Sequence, residues 1–376
     1  AGSTATLHGT QVRFLMARPS QALINLEALR HNAGLAHTQA PDARVMAVVK
    51  ANAYGHGAAT IAAALEGQVD AMAVACIEEA VVLRDAGINT PILLLEGVFE
   101  ARELATAAEL GFWVTIDNEW HLNWLEEASL PAALNCWLKI DTGMHRLGVS
   151  PERVEEFHQR LVASDNVAGN PVLCTHFASA DDLDSNQTRE QLTVFEKATA
   201  GLPGDRSTAN SPGLLGWPES HFDWVRPGYM LYGNSPFPRP HPATDALQPV
   251  MTLVSAVISV RSVAAGDTVG YGATWRAERD SRIATVTIGY GDGYPRLAAN
   301  GTPVLVNGQR ARLAGRVSMD MITVDVTDLD DVQVGDEVVL WGDGLPVGEV
   351  AQHAGTIGYE LTTRMPLRTP RIVVAN

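Results

Sequence analysis

Lys50 closes an apolar run, Val45-Met46-Ala47-Val48-Val49, and is followed at once by Ala51-Asn52-Ala53-Tyr54-Gly55-His56-Gly57. A short β-branched run bounded by glycines reads as a buried strand. A lysine at its end, facing a glycine-broken turn, is poorly hydrated, and burial lowers the pKa of an amine. Such an amine can attack a carbonyl and form a Schiff base. The alternative is a lysine that snorkels to water at a strand end. Further polar groups close other apolar runs: Asp117, Asp141 with Arg146 just beyond it, His176, Asn210 with Ser211, and Arg226. A lysine, a histidine, two arginines and a serine on one rim would suit an anionic ligand bearing phosphate and carboxylate.

These residues need a scaffold that brings strand ends together. Strand-like runs occur at 45–50, 70–75, 91–95, 113–117, 134–140, 172–177, 206–210 and 224–226. Helical patterns lie between most of them, at 58–66, 77–86, 100–110, 118–128, 151–164 and 185–200. Eight alternations of this kind indicate a (β/α)8 TIM-like barrel, in which chemistry gathers at the strand ends. No GxGxxG follows the first strand, which argues against an open dinucleotide-binding sheet. After Pro249 the pattern changes to strand-like runs at 252–263, 283–288, 303–306, 321–326 and 337–340, with Gly and Asp turns between. The expected organisation is a barrel over residues 17–248 and a C-terminal mainly-β domain over 249–376. Residues 1–16, rich in Gly and Thr, read as a leader or tag-like segment.

Composition narrows the partners. Lys and Arg total 27 against 43 Asp and Glu, a net charge of −16, whereas binding nucleic acid requires a basic surface. Cys76, Cys136 and Cys174 lie far apart, make no metal-ligand spacing and suit a reducing, cytoplasmic compartment. No apolar window reaches the length of a membrane span.

The runs around these residues resemble the alanine racemase family, which is pyridoxal-phosphate-dependent and of fold type III. Val49 to Gly57 resembles its cofactor-attachment signature. Leu138-Lys139-Ile140-Asp141-Thr142-Gly143-Met144-His145-Arg146-Leu147-Gly148 resembles a second motif. Thr175-His176-Phe177-Ala178, Asn210-Ser211-Pro212 and Val225-Arg226-Pro227-Gly228 resemble others. Beyond residue 249 the matching runs are 270–274, Gly289-Tyr290-Gly291-Asp292-Gly293-Tyr294-Pro295-Arg296, 315–320 and Tyr359-Glu360-Leu361. The likeness extends from about residue 17 to the C-terminus.

The resemblance implies a racemase that interconverts L- and D-alanine through an external aldimine of pyridoxal 5'-phosphate, supplying D-alanine as a peptidoglycan precursor. It implies a homodimer whose β-rich domain contributes to the partner subunit's active site. Lys50 would hold the cofactor and act as the base on one face of the substrate. Tyr271 of the partner subunit would act on the other, helped by a chain through His176 to Arg226. Arg226 would meet the pyridine nitrogen, and Arg146 the cofactor's phenolic oxygen and the substrate carboxylate. Tyr54, Ser211, Gly228 and Tyr359 would contact the phosphate. Met319 and Asp320 would border the substrate carboxylate. Tyr290, Arg296, Arg316 and Asp181 would line the access channel. Lys139 matches a lysine that some members carbamylate. No metal is implied. The structural alternatives are that Gly228 only makes a turn and Ser211 only caps a helix. A broad-specificity amino-acid racemase on the same scaffold, and a non-catalytic pyridoxal-phosphate carrier, are the competing readings.

Overall fold

In the computed structural model, which describes residues 17–374, the first strand, β1 (Gln21–Asn25), does not enter the barrel. It pairs antiparallel with β10 (Met251–Val263) and parallel with the last strand, Arg371–Val374. Residues 17–27 therefore cluster with 249–374, and Ala28–Gln248 form a second compact unit. The sequence reading had placed 17–27 with the barrel. A five-residue strand whose partners lie more than 200 positions away leaves no local mark of where it pairs. The leader expectation falls on residues 1–16, outside the described chain.

The unit Ala28–Gln248 is a closed barrel of parallel strands: β2 (Arg44–Val48), β3 (Ala71–Val74), β4 (Ile92–Leu94), β5 (Phe112–Ile116), β6 (Cys136–Lys139), β7 (Val172–Cys174), β8 (Arg206–Ser207) and β9 (Trp224–Val225). Helices Ala58–Leu65, Ile77–Asp85, Glu103–Leu110, Glu119–Glu127, Val154–Ala163 and Gln187–Thr199 fall within the expected helical segments. The last two strands shrink to two residues each, as their weak apolar runs suggest.

Ring contacts identify the barrel's inner face. β5 and β9 lie on opposite sides of the ring, yet Trp113 and Trp224 meet edge-on at 5.7 Å. Trp137 of β6 stacks on Trp113 at 6.3 Å and meets Trp224 at 5.8 Å. Such contacts can only cross the interior, so these three rings plug it. Side chains alternate along a strand, so residues two steps further toward the C-terminal ends also point inward. Those residues are Thr115 and then Asp117 on β5 and its end, Lys139 on β6, and Arg226 after β9. Register places Lys139 beside Cys174, and Cys174 beside Ser207. A dry aromatic floor thus carries a polar layer at the end where chemistry is expected.

The other unit is built on one eight-stranded sheet. Beyond β1 and β10 it comprises β13 (Ser281–Val286), β14 (Pro303–Val306), β15 (Gln309–Leu313), β16 (Ile322–Asp325), β17 (Glu337–Trp341) and β18 (Arg371–Val374). A separate two-stranded ribbon, β11 (Thr268–Val269) with β12 (Trp275–Arg276), flanks the turn that carries Tyr271. No helix among the described residues is long and apolar enough to cross a membrane.

Candidate active site

Lys50 leaves the end of β2 and starts a turn of the wrong hand. Ala51, Asn52, Ala53 and Tyr54 have φ of 52°, 55°, 52° and 50°. Each non-glycine residue so placed costs roughly 1–2 kcal/mol. The turn closes through Ala53 N–H to Val49 O and Gly55 N–H to Ala51 O, both 2.9 Å. Gly55, at φ 82°, ends it at little cost. Glu79, in the first turn of helix Ile77–Asp85, holds it down. One carboxylate oxygen accepts from Ala51 N–H at 2.7 Å, and the other from Ala75 N–H at 2.8 Å. Asn52 Oδ1 accepts from Ala58 N–H at 2.8 Å. Strain of this kind persists only where the surroundings over-determine it.

Glu79→Ala removes both acceptors and is expected to destabilise the barrel by about 2–4 kcal/mol, read as a lowered chemical-denaturation midpoint. An unchanged midpoint would mean that other contacts hold the turn. The sequence reading missed Glu79, because Glu78-Glu79 at a helix start looks like ordinary dipole pairing.

Burial, and next the charge of Arg146, lowers the pKa of Lys50, while Glu96 and Glu79 oppose this. The direction favours a neutral, nucleophilic amine.

Tyr54 stacks on Tyr232 with ring centroids 4.8 Å apart, and the Tyr232 hydroxyl donates to Val48 O at 2.9 Å. Burial pushes Tyr54 up to about 12, so its phenol stays protonated at neutral pH. A Cβ on Gly228 would lie 2.5 Å from Tyr54 Oη. Glycine is required at 228 by that approach, not by a left-handed φ. Ser211 is not the helix cap; Asn210 is, its Oδ1 accepting from Gly213 N–H at 3.0 Å. Ser211 Oγ instead accepts from Gly228 N–H at 3.0 Å and Met230 N–H at 3.2 Å. Its hydroxyl proton is then left to donate. Tyr54 and Ser211 thus bring two hydroxyls to the edge of a cleft kept narrow by a glycine, a cradle that fits a phosphate.

Deeper in the barrel, Arg226 donates to Ser207 Oγ at 2.5 Å and to the Thr175 carbonyl at 2.6 Å. Burial lowers its pKa, but a guanidinium stays charged. Lys139 is lowered by burial, with Arg226 and Arg146 adding to the shift and Cys174 and Asp117 opposing it. His176 is held well below its ordinary value by burial and then by Arg226, Lys139, Arg146 and Lys50. At neutral pH it is therefore an uncharged imidazole. The influence of Arg226 on His176 is electrostatic here, since the two Arg226 bonds go elsewhere. Asp117 is the carboxylate facing this cationic layer. Its Oδ1 accepts from Asn118 Nδ2 at 2.6 Å and lies 3.1 Å from His121 Nδ1, and its buried Oδ2 has no partner among the described residues.

The structure gathers Lys50, Tyr54, Lys139, Arg146, His176, Ser211, Arg226 and Gly228 in the barrel unit. Asp181 belongs to the same unit and is exposed. Tyr271, Tyr290, Arg296, Arg316, Met319, Asp320 and Tyr359 belong to the sheet unit. Tyr271 follows Gly270 (φ 79°) in a short turn and is 67% exposed. Gly272 and Arg316 pack closely; a Cβ at 272 would lie 3.1 Å from Arg316 Nη1.

Comparison with known proteins bears on this arrangement. A family model described as alanine racemase, N-terminal domain, matches residues 24–236, and one described as alanine racemase, C-terminal domain, matches 250–373. An alanine racemase of Pseudomonas taetrolens is 53% identical over 354 residues, covering 94% of this chain and 98% of that protein. A catabolic alanine racemase of Pseudomonas aeruginosa is also 53% identical, covering 94% and 99%. Among solved structures, a biosynthetic alanine racemase from Pseudomonas aeruginosa superposes with a TM-score of 0.92 at 48% identity, covering 95% of this chain and 100% of that one. An alanine racemase from Bartonella henselae, described with covalently bound pyridoxal phosphate, has a TM-score of 0.85 at 32% identity, covering 95% and 99%.

Proposed function

The chain belongs to the alanine racemase family, whose reaction interconverts L- and D-alanine, and on that premise we propose that it performs this reaction with two bases drawn from two copies of the chain. Pyridoxal phosphate, when bound, supplies the electron sink that makes the substrate Cα–H acidic enough to remove at neutral pH. The observation that carries the reading is a lysine whose amine burial pulls toward neutrality, in a barrel that also carries a pair of hydroxyls against Gly228 and a buried guanidinium.

Lys50 Nζ would hold the cofactor and, as a free amine, would move the proton on one face of the substrate. Tyr54, Ser211 and the cleft at Gly228 hold the phosphate, and Tyr359 belongs with them. Arg226 would hold the cofactor's pyridine nitrogen; a guanidinium keeps its proton, so it would not protonate that nitrogen. Arg146 takes the substrate carboxylate with a guanidinium fork. Tyr271 of the partner subunit moves the proton on the opposite face. Its exposure at the tip of a turn fits a residue that serves a second copy. Burial, with Arg226 and Arg146 adding to it, lowers the pKa of Lys139, a direction that favours the neutral amine carbamylation requires, and the two cations would stabilise the product. Tyr290, Arg296, Arg316 and Asp181 border the path of the substrate. A cytoplasmic homodimer completes the reading, in either a biosynthetic role that supplies D-alanine for peptidoglycan or a catabolic one.

The test is incubation of the cofactor-loaded protein with L-alanine in D₂O, following optical rotation and Cα deuteration. Rotation should decay to zero, with deuterium in the inverted product. Lysine, arginine and serine run in parallel should turn over at least ~10²-fold more slowly, as a small pocket excludes longer side chains. Comparable turnover of these would favour the broad-specificity reading. Cofactor binding without racemisation would favour a carrier.

A further inference from the structure

Within the sheet unit a fully buried carboxylate collects more donors than any surface ion pair needs. Asp292 is 0% exposed. Its Oδ2 accepts from Gly289 N–H at 2.9 Å and Arg18 Nη2 at 2.7 Å. Its Oδ1 is bound by Arg18 Nη1 and by Arg368 Nε, the latter at 3.0 Å. Both arginines continue to the next loop. Arg368 Nη2 pairs with Asp320 Oδ1, and Arg18 Nη2 donates to Asp320 O at 3.1 Å. Two cations and two anions thus close a balanced network around Ser318-Met319-Asp320.

The backbone completes the clamp. Tyr290 N–H donates to Ser318 O at 3.0 Å and Gly291 N–H to Met319 O at 2.9 Å. A Cβ on Gly289 would sit 2.2 Å from Ser318 O, and one on Gly291 2.7 Å from Arg368 Nη1. The turn Tyr290–Asp292 and the loop 318–320 therefore approach as closely as backbone permits. Met319 itself is about half exposed, and no described residue accepts from its N–H. An isolated surface ion pair contributes little, whereas a buried carboxylate stripped of one partner is costly. Such a network fixes geometry more than it adds stability.

We propose that Asp292 and Arg368 are positioning residues that aim the Met319 N–H and the Asp320 end of this loop at the substrate carboxylate; this rests on the family reaction proposed above. Binding geometry that is loose by an ångström can cost a large factor. A guanidinium that spans two carboxylates is not replaceable by a point charge.

The experiment uses the holoenzyme with Arg368→Gln and Arg368→Lys; Arg368 is partly exposed, and Arg18 and the Gly289 N–H still hold Asp292 in either variant. Arg368→Gln is expected to raise the KM for alanine about 10-fold, with kcat changed less than about 3-fold. Competitive inhibition by propionate should weaken by the same factor, whereas inhibition by ethylamine, which lacks the carboxylate, should not. Lysine should recover part of the loss. Unchanged KM and propionate inhibition overturn the proposal. So does a uniform loss of kcat, ethylamine inhibition and thermal midpoint, which would mean general damage. Wild-type protein that racemises no alanine would overturn both this inference and the reading beneath it; an active wild type with an unaltered variant overturns this inference alone.

Discussion

Lys50→Ala is expected to lower alanine racemisation by at least ~10³-fold in both directions. The cofactor should also become removable by dialysis, because on the proposed reading Tyr54, Ser211 and Arg226 would hold it only by hydrogen bonds and charge. The size of the effect follows from two tasks resting on one amine, covalent attachment and proton transfer. Burial and Arg146 both bias that amine toward its neutral form. Lys50→Arg separates the tasks from mere charge, since a guanidinium keeps the cation but cannot give up its proton. It should be as inactive as the alanine variant. Activity within tenfold of wild type in either would remove Lys50 from the mechanism.

Tyr271→Phe deletes one oxygen from a side chain that is 67% exposed, so stability should change by no more than about 0.5 kcal/mol. Its expected effect is catalytic, a loss of about 10²- to 10⁴-fold. The loss should also have a signature. With one base gone, the enantiomer whose Cα proton faces Lys50 can still exchange with solvent, but the proton returns to the same face. In D₂O that enantiomer should gain deuterium without inverting. Equal loss of exchange and inversion for both enantiomers would argue that Tyr271 does not act as the second base.

Much of this was legible in the chain, for identifiable reasons. The barrel strands are apolar runs set between amphipathic helices, and their ends carry the polar residues. Alternation alone therefore places Lys50, His176 and Arg226 on one rim. β1 was not legible, because Gln21–Asn25 resembles the lead into a helix and its partners are remote. β15 was missed because Gln309, Arg310 and Arg312 face solvent on a strand with only two buried residues. The left-handed turn after Lys50 has no signal in Ala-Asn-Ala-Tyr, where only Asn favours positive φ. Among its supports is Glu79, supplied from another helix. The Asp292 network was equally hidden, since it joins residues from positions 18, 292, 320 and 368. Motif resemblance pointed to candidate residues, whereas only the three-dimensional arrangement revealed what holds them.

The claim that the two bases come from different copies is tested most directly by mixing subunits. Lys50→Ala and Tyr271→Phe chains are each nearly inactive alone, and are unfolded and refolded together, or co-expressed with distinct tags. If each site takes Lys50 from one copy and Tyr271 from the other, a mixed dimer carries one doubly defective site and one intact site. Random assortment should then restore about a quarter of wild-type activity. If both bases belong to one chain, every site in the mixed dimer lacks one of them. A mixture that forms hybrid dimers yet recovers no activity would contradict the shared site.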